Sequence, residues 1–380
     1  MQKYRSPGVY KEDIFPVPAA EFLTGVPVFL GLAEQGDMNS VVKLTHWQQF
    51  EESFGKAMSG SYLAYAVRGF FENGGSVCYV VRLDNTSLSE LERGLELQAV
   101  VKEIDLVCTP DIMTNPFDAS RLQKTVLDQC DKSGDRFAIL DSIPDANSDK
   151  VLEQREKLSD AKNGALYYPW LFVQGGSKEE FVSVPPSGHV AGVYARTDMH
   201  KGVFKAPANE ILKGVLDTET EITNLEQDKL NPESVNCIRT FKGRGIRVWG
   251  ARTLVGEYEA EWLYINVRRL FLTVGRWIEE YMQNIIFEPN DFRLWSRIIR
   301  ELTAYFNNLF KQGALKGGAP SDAFYIKCDA ETNPPEVRDK GMIVTEVGLK
   351  PVTASEFVII RIIHGDSGVT INGVAEPLKK

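Results

Sequence analysis

The string His364-Gly365-Asp366-Ser367-Gly368 carries the Gly-Asp-Ser-Gly order that surrounds the nucleophile of chymotrypsin-like proteases. A serine there attacks a carbonyl only when a histidine base reaches its hydroxyl and backbone donors await the oxyanion. The surroundings do not sustain that chemistry: Val369 and Thr370 stand in place of the glycine and proline that follow in hydrolases, and no upstream histidine motif is present. A turn after a strand is the simpler reading, and hydrolysis through Ser367 stands as a remote alternative. The four histidines, His46, His189, His200 and His364, fall in separate segments without the spacing that would bring two of them to one metal. Gly243, Gly245 and Gly250 imitate a phosphate loop only loosely, since they precede a strand and no Walker lysine-serine pair follows. Cys78, Cys108, Cys130, Cys237 and Cys328 lie far apart and are odd in number, so they read as buried small hydrophobes and not as a disulfide or zinc framework. The Glu279-Glu280 pair falls on a helix surface. No catalytic residue, cofactor site or metal site is expected, and the chain reads as a non-enzyme.

Composition bounds the elements that could position any such group. The chain has 380 residues and a formal net charge of −9, with 43% hydrophobic and 25% charged residues. Those values describe a folded chain of two or three ordinary domains with a sizeable core. A mildly acidic chain is ill suited to coat nucleic acid, so no direct nucleic-acid contact is expected. The most apolar long stretch, Trp262 to Ile286, is broken by Arg268, Arg269, Arg276, Glu279 and Glu280, which a bilayer centre rejects. No direct membrane contact is expected either. Lys3 and Arg5 are followed by charged residues and prolines instead of an apolar run, so no signal peptide is read.

From Val26 a βα alternation begins. Strands are predicted at Val26 to Leu32, Val77 to Leu83, Ile104 to Cys108 and Phe137 to Leu140, with helices at Thr45 to Phe54, Tyr62 to Glu72 and Asp118 to Lys132. Nearly continuous apolar strands separated by helices indicate an α/β unit with a mostly parallel sheet. A charged helix at about Ser148 to Lys162 leads to Leu166 to Val173 and a loop, after which Ser187 can cap a helix through His189, Val190, Val193 and Tyr194, followed by the segment Ala195 to Asn209. A strand at Ile246 to Arg252 precedes two long helices, Trp262 to Ile286 and Asp291 to Lys311. In the first of these, Leu263, Val267, Leu270, Val274, Trp277, Tyr281 and Ile285 form a core-facing stripe, with the arginines on other faces. Beyond Gly317-Gly318 come strands at Phe324 to Lys327, Gly341 to Leu349 and Glu356 to Ile363, the last two read as a hairpin. Between Arg239 and Lys316 thirteen basic side chains face eight acidic ones, an asymmetry that suits a subunit meeting copies of itself or an acidic partner. The first twenty residues, with Pro7, Gly8, Pro16 and Pro18, read as an extended arm suited to strand addition.

Four segments resemble the tail sheath proteins of contractile phage tails, R-type pyocins and extracellular contractile injection systems. They are SPGVYKED (Ser6 to Asp13), ARTDMHKGVFKAPAN (Ala195 to Asn209), NPESVNCIRTFKGRGIRVWGARTL (Asn231 to Leu254) and the stretch from Leu294 to Pro334. The resemblance implies an α+β and α/β multidomain fold, with a sheath core built from both chain ends and the C-terminal third, a peripheral α/β domain and extended arms. It divides the chain into an N-terminal arm (1–20), an N-terminal core layer (21–95), an outer α/β domain (96–205), a C-terminal sheath core (206–365) and a C-terminal arm (366–380). It implies a contractile sheath subunit, with a non-contractile tail or baseplate component as the alternative. The implied partners are further copies in six-fold rings stacked helically, an inner tube protein, and baseplate and terminator or cap proteins. Assembly in the bacterial cytoplasm, as part of a phage tail or tail-like particle, is implied as well. The arms are expected to exchange strands between subunits through Val9, Tyr10, Ile14, Val17, Val344, Val347, Val358, Ile360, Val369 and Ile371, with Gly341 to Ile363 as the receiving hairpin. Lys311 and Lys316 are the candidate tube contact.

Overall fold

The computed structural model of the chain describes residues 23–158, 160–175, 180–354, 360–365 and 368–373. The apolar run after Val26 forms β1 (Pro27–Leu32), buried on both sides of its pleat. Phe29 enters one core, and Val28 and Leu30 enter another. A strand of that kind belongs in the middle of a parallel sheet covered on both faces. β1 accordingly pairs in parallel with β3 (Cys78–Leu83) on one side and β4 (Leu106–Cys108) on the other. The parallel ladder continues through β5 (Phe137–Asp141), β6 (Gly164–Tyr168) and β11 (Val235–Phe241). Antiparallel strands complete both edges: β2 (Val42–Leu44) beside β3, then β12 (Gly245–Val248) and β9 (Glu210–Ile211) beyond β11. The nine strands run in the order β2-β3-β1-β4-β5-β6-β11-β12-β9.

Helices α1 (Gln48–Phe54), α2 (Leu63–Glu72) and α6 (Ser187–Lys201) cover one face. The other face carries α3 (Leu88–Ala99), α4 (Ala119–Ser133), α5 (Ser148–Lys157) and α7 (Asn224–Leu230), the last opened by a capping box between Thr223 and Glu226. Glycine lets α6 lie directly on α2: a Cβ at Gly188 would stand 2.3 Å from the Ala66 backbone. A three-stranded antiparallel sheet, β10-β7-β8, flanks this body, with β7 (Leu171–Gln174), β8 (Phe181–Val184) and β10 (Val215–Thr218).

A third core holds the C-terminal part. α8 (Ile265–Gln283) and α9 (Phe292–Lys311) pack there with β13 (Phe324–Lys327) and β14 (Glu346–Leu349), beside the short α10 (Pro320–Ala323) and α11 (Pro335–Arg338). Asp291 starts α9 by accepting from the Arg293 and Leu294 N–H groups. Leu294, Ile298, Leu302, Phe306 and Leu309 then repeat along its buried stripe. The last elements are β15 (Ile360–Gly365) and β16 (Gly368–Gly373).

Several expectations are corrected. Within 166–173 the chain leaves β6 for a different sheet at Pro169, which lacks the N–H a ladder needs. The charged helix ends at Lys157, and α6 runs on through Ala195 to Lys201. Ser187 does not cap α6; its backbone N–H donates to Asp141 Oδ1 at 2.7 Å. The hairpin expected between 341–349 and 356–363 is replaced by two others: β14 pairs with β13, and β15 pairs with β16. In the second, Gly365 stands opposite Gly368, so only two residues connect the strands, the shortest and least entropically costly closure.

Candidate functional site

In open parallel sheets, ligands gather beyond the carboxyl ends of the strands, where neighbouring crossovers diverge. Here that crevice lies past β1 and β4 and is filled by Asp111. Its carboxylate accepts from the Leu32 N–H at 2.5 Å, the Ser61 hydroxyl at 2.8 Å and the Tyr62 N–H. The N-terminus of α2, which in a nucleotide-binding fold would face a phosphate, faces a side chain of its own chain. Burial pushes Asp111 up to about 6, against the pull of those donors. Asp141 plays the same part for α6 at the end of β5, and burial pushes it up to about 7.

The residues that suggested chemistry are dispersed. His189 is buried among apolar groups, which push it down to about 4, while His46 and His200 are exposed. The five cysteines are all buried, as expected. Gly243 and Gly245, with φ of 74° and 75°, make the turn between β11 and β12. His364 pairs with Val369 in the last hairpin, and Ser367 lies outside the described residues. No group of three or more potential metal ligands occurs among the described residues, and no helix there is long and apolar enough to cross a membrane.

The densest polar structure is a seam missed by the sequence reading. Leu270, Val274, Trp277, Tyr281 and Ile285 of the expected stripe pack in or against the third core, whereas Leu263 and Val267 do not join it, and the arginines of α8 do not face solvent. Arg269, 2% exposed, donates to Asp198 on α6 at 2.9 and 2.6 Å and to Asp105 at 3.0 Å. Asp105 in turn accepts from the Gly25 and Val26 N–H groups at 3.0 and 2.6 Å. Burial works against the guanidinium charge, but the two carboxylates overcome it and hold Arg269 firmly ionised. One turn pair further on, Arg276 donates to the Lys102 carbonyl at 2.7 Å, and Arg268 donates to Asn163 at 2.7 Å. The cluster thus clamps the C-terminal helices, α6 and the entry of the N-terminal segment together. A signal was present: Arg269 and Arg276 are seven residues apart and so share a helix face. Their burial takes both positive charges off the surface.

The expected assembly residues fall in two groups. Val9, Tyr10, Ile14, Val17 and Val358 lie outside the described residues. Val347 pairs with Ile326 in the β13–β14 ladder. Val344 lies before β14, where buried Asn333 takes both its N–H, at 2.7 Å, and its carbonyl, at 2.9 Å. Ile360, Val369 and Ile371 belong to the β15–β16 hairpin, with Ile371 opposite Ile362. Each of these two-stranded ladders joins no larger sheet among the described residues. Lys311 ends α9 and is exposed, whereas Lys316 is braced, its Nζ donating to Thr353 at 2.8 Å.

The crevice is filled by the chain's own Asp111, and neither two-stranded ladder has a third strand among the described residues. The comparisons name the class. Residues 97–254 match the phage tail sheath protein central domain, and residues 257–363 match the phage tail sheath C-terminal domain. A chain of the anti-feeding prophage (AFP) helical sheath in its contracted state is 30% identical, with a TM-score of 0.77 over 94% of this chain and 99% of that one. A chain of the six-fold symmetrised AFP baseplate is 31% identical, with a TM-score of 0.78 over 95% of this chain and 99% of that one. The tail sheath protein of Vibrio phage KVP40 is 28% identical over 183 residues, 47% of this chain and 26% of the phage protein. This chain spans between 26% and 33% of the curated tail sheath proteins it matches. The protein belongs to the phage tail sheath family.

Proposed function

We propose that the chain is the structural subunit of a contractile sheath, stacked as six-membered rings around an inner tube and contracting to drive that tube through a target envelope. The observation that carries this reading is the match along nearly the whole chain to a helical sheath captured in the contracted state. The arms would add strands to the two-stranded ladders of neighbouring subunits through Val9, Tyr10, Ile14 and Val17, and through Val344, Val347, Val358, Ile360, Val369 and Ile371. Such addition satisfies the bare backbone groups of an edge and keeps a subunit tethered while it rotates. An isolated two-stranded hairpin is marginal in water, so β15–β16 gains most from a third strand. Contacts that do not close on themselves give a helical tube. A metastable extended packing releases its energy without a nucleotide. The partners would be further copies, the tube protein, and baseplate and terminator proteins, in a phage-tail-like particle assembled in the cytoplasm.

A second reading, a baseplate component that does not contract, draws on the match to the AFP baseplate chain. Negative-stain electron microscopy of the purified chain, with and without Met1 to Ala20, separates the two. Hollow ridged cylinders that vanish on truncation are expected for the sheath. Discrete rings from the intact chain would favour the baseplate component, and monomers that persist on co-expression with the tube protein would sink the sheath reading.

A further inference from the structure

A cleft of about 440 Å³ opens where α6, α8 and α9 meet, bordered by Met199, Trp277, Tyr281, Ala304 and Tyr305. Its wall is an aromatic stack: the Trp277 ring lies 4.0 Å from Tyr305 and 5.5 Å from Tyr281, each within 5° of parallel. The first described residue, Leu23, stands on the lip of this cleft and is half exposed. Twenty-two residues therefore begin at its edge, and the nearest of them read Pro18-Ala19-Ala20-Glu21-Phe22. Five extended residues reach roughly 16 Å, enough to cross a cleft of this size. Flat aromatic walls receive proline-containing extended chain well, because the fixed proline φ lowers the ordering cost. Two alanines would let a backbone approach the rings, and Phe22 would supply an apolar anchor.

We propose that Pro18–Phe22 of the same chain seats in this cleft, so that the N-terminal arm leaves the body from the α8–α9 surface and not from the end of β1. The inference goes beyond the sheath reading and does not require assembly. It places the root of the arm next to Asp105, which holds Gly25 and Val26, and so beside the Arg269 cluster. A pull on the arm would reach the clamp between the α/β body and the C-terminal helices.

The test uses the full chain, with p-benzoylphenylalanine in place of Ala20, irradiated while dilute and monomeric. Cross-links from position 20 to peptides carrying Trp277 or Tyr305 are expected in the monomer-sized band. Ala304→Trp, which adds an indole from the exposed face of α9, should reduce their yield at least fivefold. Met199→Arg on the rim of α6 should do the same, and provides a second readout if the first variant unfolds. Cross-links to other regions, a dimer-sized product, no cross-link at all, or a yield indifferent to both variants would overturn the proposal. If the cross-link forms but no cylinders appear by microscopy, the seating stands and only the sheath reading fails.

Discussion

Arg269 carries a full charge into a place that water hardly reaches, and only the geometry around it makes that tolerable. Two carboxylates share one guanidinium, and backbone N–H groups take up the remaining charge on Asp105. Removing one partner of such a cluster strands the others, which costs about 3–5 kcal/mol. Arg269→Met should therefore lower the urea midpoint by that equivalent, and a loss below about 1 kcal/mol would show that the carboxylates are balanced by something else. Asp141 yields a prediction of opposite character. Its folded pKa of about 7 lies above the unfolded carboxylate value of about 3.9. Its contribution to stability is therefore full below about pH 4 and is lost as pH rises through about 7. Asp141→Asn keeps an oxygen for the Ser187 N–H but cannot titrate. The melting temperature of the variant relative to the natural chain should rise between pH 5 and pH 8, and a flat or falling difference would mean that the donors outweigh burial.

At the scale of elements, two helices decide how the layers meet. α6 touches α2 through glycine, and a methyl group at Gly188 would enter the Ala66 backbone at 2.3 Å. Gly188→Ala should cost about 1–3 kcal/mol by overpacking, read from thermal or urea melts. A neutral outcome would mean that α6 shifts freely on the sheet. α8 is buried on two faces, one apolar against α9 and one polar against the α/β body. Periodicity exposes the first face and hides the second, because an arginine on a helix is ordinarily a solvated residue. The last strands show a related limit: an apolar run announces a strand, but its partner is chosen by loop length and by what the neighbouring segment already pairs with.

At the scale of the whole molecule, the proposed tube contact can be examined without disturbing any of the three cores. Lys311 is exposed at the end of α9, and Lys316 stands on the loop that follows. Replacing both by Glu should weaken loading of the tube while leaving sheath self-assembly intact, since the charge of the proposed contact is reversed and neither ladder is touched. Tube-filled particles in normal number from the double variant, counted by microscopy, would exclude these lysines. Salt should mimic the variant in part, because exposed charge pairs are screened.

The sequence by itself determined the parallel strands β1, β3, β4 and β5, the helices α2, α4 and α9, and the burial of the cysteines. In each, local periodicity and end signals agree with the burial the fold demands. The family was legible too, because its four segments sit in order along the chain. Short or edge elements such as β2 and β9 were not legible, since three residues or fewer carry no period. Only the tertiary structure decided the pairing of β14 with β13 and β15 with β16, the filling of the crevice by Asp111, and the seam through Arg269. The last two are meetings of residues dozens to more than a hundred positions apart, such as Asp105 with Arg269. Nothing in the local pattern around either residue specifies the other, and their charges become compulsory partners only when packing has removed the water.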